Sequence, residues 1–93
     1  MATKYITDNQ FYCCMCGSLG LPIVRLKGKE REAGHLKKIY CLKCQKETNH
    51  AECQPWNGYT HDDFLAEFSQ GNFDNEGNRI LQYKDFKKVI KNE

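Results

Sequence analysis

Six cysteines dominate the chemistry open to this chain: Cys13, Cys14, Cys16, Cys41, Cys44 and Cys53. Four of them form two C-x-x-C pairs, Cys13 with Cys16 and Cys41 with Cys44. Two-residue spacing lets one tight turn aim two sulfurs at a single point. Two such turns supply the four thiolates of a tetrahedral metal site. Gly17, directly after the first pair, permits the left-handed turn that would carry the chain away beneath the metal. The 24 residues between the pairs exceed the common spacing of about 15–20, and a longer hairpin accommodates them. The expected cofactor is one structural Zn²⁺ on Cys13, Cys16, Cys41 and Cys44.

Three other cysteine chemistries compete with this one. A disulfide framework belongs to small secreted chains, and the opening MATKYITDNQ lacks the apolar stretch of a secretory signal. A reducing, cytoplasmic setting is therefore expected. A thioredoxin-like motif needs a βαβ pattern that the sequence does not offer. A catalytic zinc needs an open coordination position, which four thiolates deny it. Cys14 and Cys53 then read as small buried hydrophobes. His50 and Cys53 are also two residues apart, so an alternative ligand set using one of them stays open.

The elements that must position these turns follow from the patterning. Leu21–Lys27 has strand character, with Pro22 limiting its start to a sheet edge. Residues 28–34 form a polar loop bounded by glycines. His35–Tyr40 is expected to return as the second strand of a hairpin, and Thr48–Cys53 to add a third. Knuckle, β-hairpin, knuckle and third strand is the layout of a zinc ribbon. Residues 11–53 resemble that family through C-C-M-C-G at 13–17, Y-C-L-K-C at 40–44 and K-E-T-N-H at 46–50. A threonine and a histidine after the second knuckle are similar to those of other ribbons, some ribosomal. The whole chain resembles small uncharacterised zinc-ribbon proteins of low-GC Gram-positive bacteria and their phages. The resemblance implies a partner among nucleic acids or the transcription and translation machinery.

Residues 54–93 read as a helical extension packed on the ribbon of residues 1–53, giving a small α+β unit. Thr60 is a good N-cap, with Asp62 and Asp63 in the first turn. Phe64, Leu65 and Phe68 share one helical face, and Gly71-Asn72 ends the helix. A second short helix is expected from Tyr83 to about Lys91, with Phe86, Val89 and Ile90 at helical spacing. Trp56 and Tyr59 are expected to fill the space between the halves. Asn72, Asp74, Glu76 and Gly77 match the first half of a calcium loop. Tyr83 occupies position 12, where the site requires a bidentate glutamate, so an ordinary polar turn is expected.

Charge is uneven. Residues 1–53 carry nine basic and five acidic side chains, and residues 54–93 carry five and seven. The basic excess sits on Arg25, Lys27, Lys29, Arg31, Lys37 and Lys38. It reads either as a solvated face or as a finger that contacts phosphates. Tyr40 and Phe11 are available to stack on bases or to fill the core.

Catalysis finds little support. There is no Gly-rich phosphate loop, no G-x-S-x-G and no H-E-x-x-H. With 93 residues, 40% of them hydrophobic, the chain has a marginal core. Such a core needs a staple more than it can support a preorganised site. The expectation is a non-enzymatic module with no small-molecule substrate, docking on nucleic acid or a nucleoprotein machine. The alternative is a phage or mobile-element protein that binds and modulates a host protein. No run of about 18 apolar residues exists for a membrane span.

Overall fold

The computed structural model describes residues 5, 6, 9–26, 32–54 and 58–91. Five strands precede two helices: β1 (Tyr5–Ile6), β2 (Gln10–Cys13), β3 (Arg25–Leu26), β4 (Leu36–Cys41), β5 (Lys46–Cys53), α1 (His61–Ser69) and α2 (Tyr83–Lys91). The main sheet is antiparallel with β5 in the centre, flanked by β2 and β4. The result is a small α+β fold with its cysteine turns at the strand ends, consistent with a zinc ribbon.

The pairing of the strands differs from the sequence expectation. Residues 21–24 join no strand, and Arg25–Leu26 pairs with Tyr5–Ile6 rather than with the strand before the second knuckle. β4 instead folds back on β5 across the knuckle, from Cys41 opposite Lys46 to Leu36 opposite Ala51. The reason is local closure. The Cys41–Gln45 turn is already fixed by a bond from the Gln45 N–H to the Cys41 carbonyl at 2.7 Å, so the next residues pair at little further entropic cost. The expected third strand is thus the central one. Its other partner is β2, with Gln10 opposite Cys53 and Cys13 opposite His50.

Strand pleating then sorts the side chains onto two faces. Phe11, Cys13, Ile39, Cys41, Thr48, His50 and Glu52 are buried and fall on the face that carries the cysteine cluster. Tyr12, Ala51 and Cys53 fall on the opposite face, in a core with Cys14, Tyr59 and Phe64. That second core is where the helical half sits. Tyr12 stacks on His61 at 4.1 Å between ring centroids and on Phe64 at 5.4 Å. Tyr59 is fully buried, as expected of a filler, and Trp56 lies outside the described residues.

Helix α1 begins where its cap chemistry dictates. The Asp63 N–H donates to the Thr60 hydroxyl, and the Thr60 N–H donates to the Asp63 carboxylate at 2.7 Å, a reciprocal capping box. It ends in a Schellman arrangement, with Gly71 at φ 75° and the Asn72 N–H bonded to the Glu67 carbonyl. Its inward face departs from the expectation. Phe64 is buried, but Leu65 and Phe68 are 45% and 37% exposed, and the other buried residue is Glu67.

A buried charge needs partners, and Glu67 has three, which make four hydrogen bonds. Its carboxylate accepts from the Tyr59 hydroxyl, from Asn72 Nδ2 at 2.6 Å, and from Arg79 Nε at 2.7 Å and Nη2 at 2.9 Å. Arg79 Nη1 reaches on to the Gly34 carbonyl, so the network ties α1 and the 72–81 loop to the turn before β4. Burial works against the Arg79 charge, yet the bonds and charge of Glu67 outweigh it and push its pKa above the usual value. Burial and the bond to Glu67 likewise keep the Tyr59 phenol protonated.

The 74–78 loop is the polar turn expected. Asp74 Oδ1 accepts from the N–H groups of Glu76 and Asn78, both at 2.9 Å. These bonds, led by Asn78, hold its carboxyl below the usual range. The carboxylate serves the turn's own backbone.

Candidate metal centre

The two knuckles repeat one local design. In the first, the Gly17 N–H donates to the Cys13 carbonyl at 2.8 Å and the Met15 N–H points at the Cys13 sulfur at 3.4 Å. In the second, the Gln45 N–H makes the matching bond to the Cys41 carbonyl at 2.7 Å, and the N–H that points at the Cys41 sulfur, at 3.4 Å, comes from Cys44, three residues on rather than two. Each turn then leaves through a left-handed residue, Gly17 at φ 79° and Gln45 at φ 59°. Glycine adopts this conformation freely, whereas for glutamine it is uncommon.

The knuckles bring Cys13, Cys16, Cys41 and Cys44 together, with all four sulfurs within 4.8 Å of one another. Cys13 lies 3.9 Å from Cys44 and Cys16 lies 3.6 Å from Cys41. A tetrahedral ion with metal–sulfur bonds of 2.3 Å separates its ligands by about 3.8 Å. A disulfide would need about 2.05 Å, and all six cysteines are free. The cluster therefore fits one metal ion, and its sulfurs stand at ligand separations rather than at disulfide bonding distance.

The electrostatics agree. Burial opposes ionisation of Cys16, but the side-chain and backbone hydrogen bonds from Ser18 bring its pKa down to about 6. Cys44 is pushed up to about 12, by desolvation and then by its bonds to the Cys16, Cys41 and Cys13 sulfurs. Four thiolates this close would repel one another, and a cation at their centre is what would let all four ionise. Thr48, also buried, places its hydroxyl 3.0 Å from the Cys13 sulfur, where it would donate to a thiolate.

The remaining cysteine and histidine ligands that the spacing left open do not join. Cys14 and Cys53 lie in the core under the helices, where burial raises both thiols to about 12. They fill space, as expected of small hydrophobes. His50 shares the metal face, but Cys53, three residues on, points to the other. His50 Nδ1 sits 3.0 Å from the Thr48 carbonyl, which fixes the proton there, and burial depresses its pKa. Its Nε2 is buried without a hydrogen-bond partner, against Gly20. A Cβ on Gly20 would stand 2.5 Å from His50 Cδ2, so Gly20→Ala is expected to cost about 1–3 kcal/mol by overpacking. Urea unfolding of the metal-loaded variant measures this. A midpoint equal to that of the parent would refute it.

The basic residues are not brought into one stripe. Lys27, Lys29 and Arg31 lie outside the described residues, and Arg25 is placed only as backbone in β3. Lys37 and Lys38 are neighbours in β4 and so point to opposite faces. Lys38 is exposed on the same face as Tyr40, which is 45% exposed. Beside Lys38 lies a groove of about 310 Å³, lined by Met15, Lys46, Glu47, Asn49 and Asn75 among others. Phe11 is buried and unavailable for stacking.

No family model, curated protein or solved structure matches this chain. The likeness to zinc ribbons therefore rests on the cysteine turns and the fold. Among the described residues no helix is long and apolar enough to cross a membrane.

Proposed function

We propose that this chain is a non-enzymatic zinc-ribbon module, with one structural zinc on Cys13, Cys16, Cys41 and Cys44, that docks on nucleic acid. The four-thiolate cage carries the first part of the reading. A soft, all-sulfur tetrahedral set selects zinc among the common cellular divalent ions. With four protein ligands it leaves no position at which water or substrate would be activated. Free thiolates at this density suit a reducing compartment, and we place the module in the cytoplasm.

Docking is supported by the solvent face of β4, where Lys38 and Tyr40 stand two residues apart beside the polar groove. A lysine for phosphate next to an exposed aromatic for a base is the pairing that single strands use. Fluorescence anisotropy with a labelled single-stranded RNA and DNA tests this. Binding should weaken steeply with salt. Lys38→Ala should lower the salt slope by about one, and Tyr40→Ala should cost about 1–3 kcal/mol. No binding of either strand at low salt would end the nucleic-acid reading.

One observation favours the alternative, a module that binds a host protein, as a phage or mobile-element factor would. Ile80, Leu81 and Val89 are exposed around a groove of about 240 Å³ floored by Phe86. Exposed apolar surface of this kind suits a protein partner better than a phosphate backbone.

A further inference from the structure

The four sulfurs of the cage are not equivalent. Two of them have hydroxyl partners that would donate to a thiolate: Thr48 for Cys13, at 3.0 Å, and Ser18 for Cys16, with a backbone hydrogen bond from Ser18 besides. Cys41 is bonded by the Cys44 N–H. Among the described residues no N–H or O–H donor reaches Cys44, whose neighbours are the other sulfurs. Exposure cuts across this pattern. Cys13 and Cys41 are buried, at 0% and 3% exposure, while Cys16 and Cys44 are half-buried. Cys44 is thus the one sulfur that is both open to solvent and without a donor.

Hydrogen bonds to a metal-bound thiolate withdraw electron density and occupy the lone pairs with which it would attack. The thiolate that lacks them keeps its nucleophilicity. The turn that holds Cys44 is also the strained one. Gln45 takes φ 59° where the first knuckle uses Gly17, a conformation that a residue with a Cβ adopts only under strain. That residue directly follows Cys44, whereas Cys16 is followed by a glycine.

We propose that Cys44 is the reactive thiolate of the loaded metal centre, the site at which a soft carbon electrophile modifies this protein. This rests on the zinc reading above. With a maleimide, the Cys44 sulfur adds to the alkene carbon, so a sulfur–carbon bond forms as the metal–sulfur bond breaks. The enolate produced takes its proton from water. The ion, left with three protein ligands, becomes accessible to chelators. Cys14 and Cys53, at 3% and 6% exposure in the second core, are spectators.

The test treats the zinc-loaded full chain with less than one equivalent of N-ethylmaleimide. Labelled residues are mapped by peptide mass spectrometry while a chromogenic chelator follows metal release. The first label should fall on Cys44, in step with metal release. Ser18→Ala should raise labelling of Cys16 several-fold, and Gln45→Gly should slow labelling of Cys44. First labelling of Cys16, Cys13 or Cys41 in the parent protein would overturn the proposal, as would a Ser18→Ala profile identical to the parent's. Failure of the zinc reading is distinguishable, because the protein would then carry no metal before any electrophile is added.

Discussion

Cys41→Ser is expected to lose its metal and leave the three-stranded sheet unfolded. Cys41 is buried at the start of the second knuckle, its sulfur accepts the Cys44 N–H, and its carbonyl closes the turn that sets the β4–β5 register. A serine oxygen there is a poorer zinc ligand and sits too far back to complete the cage. Structural zinc in small modules contributes roughly 10–16 kcal/mol of folding free energy. That matches or exceeds the whole stability of a typical domain, about 5–15 kcal/mol. Even partial loss of affinity should therefore be decisive. Far-ultraviolet circular dichroism and a chelator assay check both halves of the statement. Cys14→Ser and Cys53→Ser serve as controls, with smaller losses expected because each removes only a buried contact. A Cys41→Ser protein that kept native dichroism and bound metal would refute the assignment. Serious metal loss in either control would redraw the ligand set.

Glu67→Ala is expected to be the most damaging change away from the metal, costing about 3–5 kcal/mol. The carboxylate is fully buried, and its removal strands the Arg79 guanidinium, which is itself only about 10% exposed. Asn72 Nδ2 and the Tyr59 hydroxyl lose the same acceptor. Most of the cost is the uncompensated cation, so the double variant Glu67→Met with Arg79→Met should be milder than the sum of the two singles. Urea unfolding of the zinc-loaded proteins gives the cycle. Additive losses, or a Glu67→Ala midpoint within error of the parent, would show that the network holds nothing together.

The features legible in the sequence are those whose chemistry is local. Cys-x-x-Cys with a following glycine encodes its own turn, so the ligand set was readable without the fold. Thr60 with Asp63, and Gly71-Asn72, mark both ends of α1 by the same logic, since each cap is satisfied within a few residues. Strand partners are settled by distant choices. The β character of Leu21–Lys27 is real in its last two residues. Nothing in that segment, though, says that Arg25–Leu26 would meet Tyr5–Ile6 and leave β4 to β5.

Glu67 was illegible for a related reason. A glutamate two positions after Leu65 reads as solvent-facing until Arg79, twelve residues on, turns inward to meet it. The burial of Leu65 was overestimated by the same pattern argument. The core under α1 is filled by Tyr12, Tyr59 and Phe73, which the helix sequence does not announce. Thr48 stood out only through its resemblance to ribbon threonines. Its bond to Cys13 depends on a register that places alternate β5 residues over the cage.

The metal content of the full chain, purified without added metal and read by native mass spectrometry beside a denatured sample, tests the central claim most directly. The account predicts one zinc per chain in the native spectrum and none after denaturation. A native mass equal to that of the bare chain, with Cys13, Cys16, Cys41 and Cys44 all titrating freely, would contradict it.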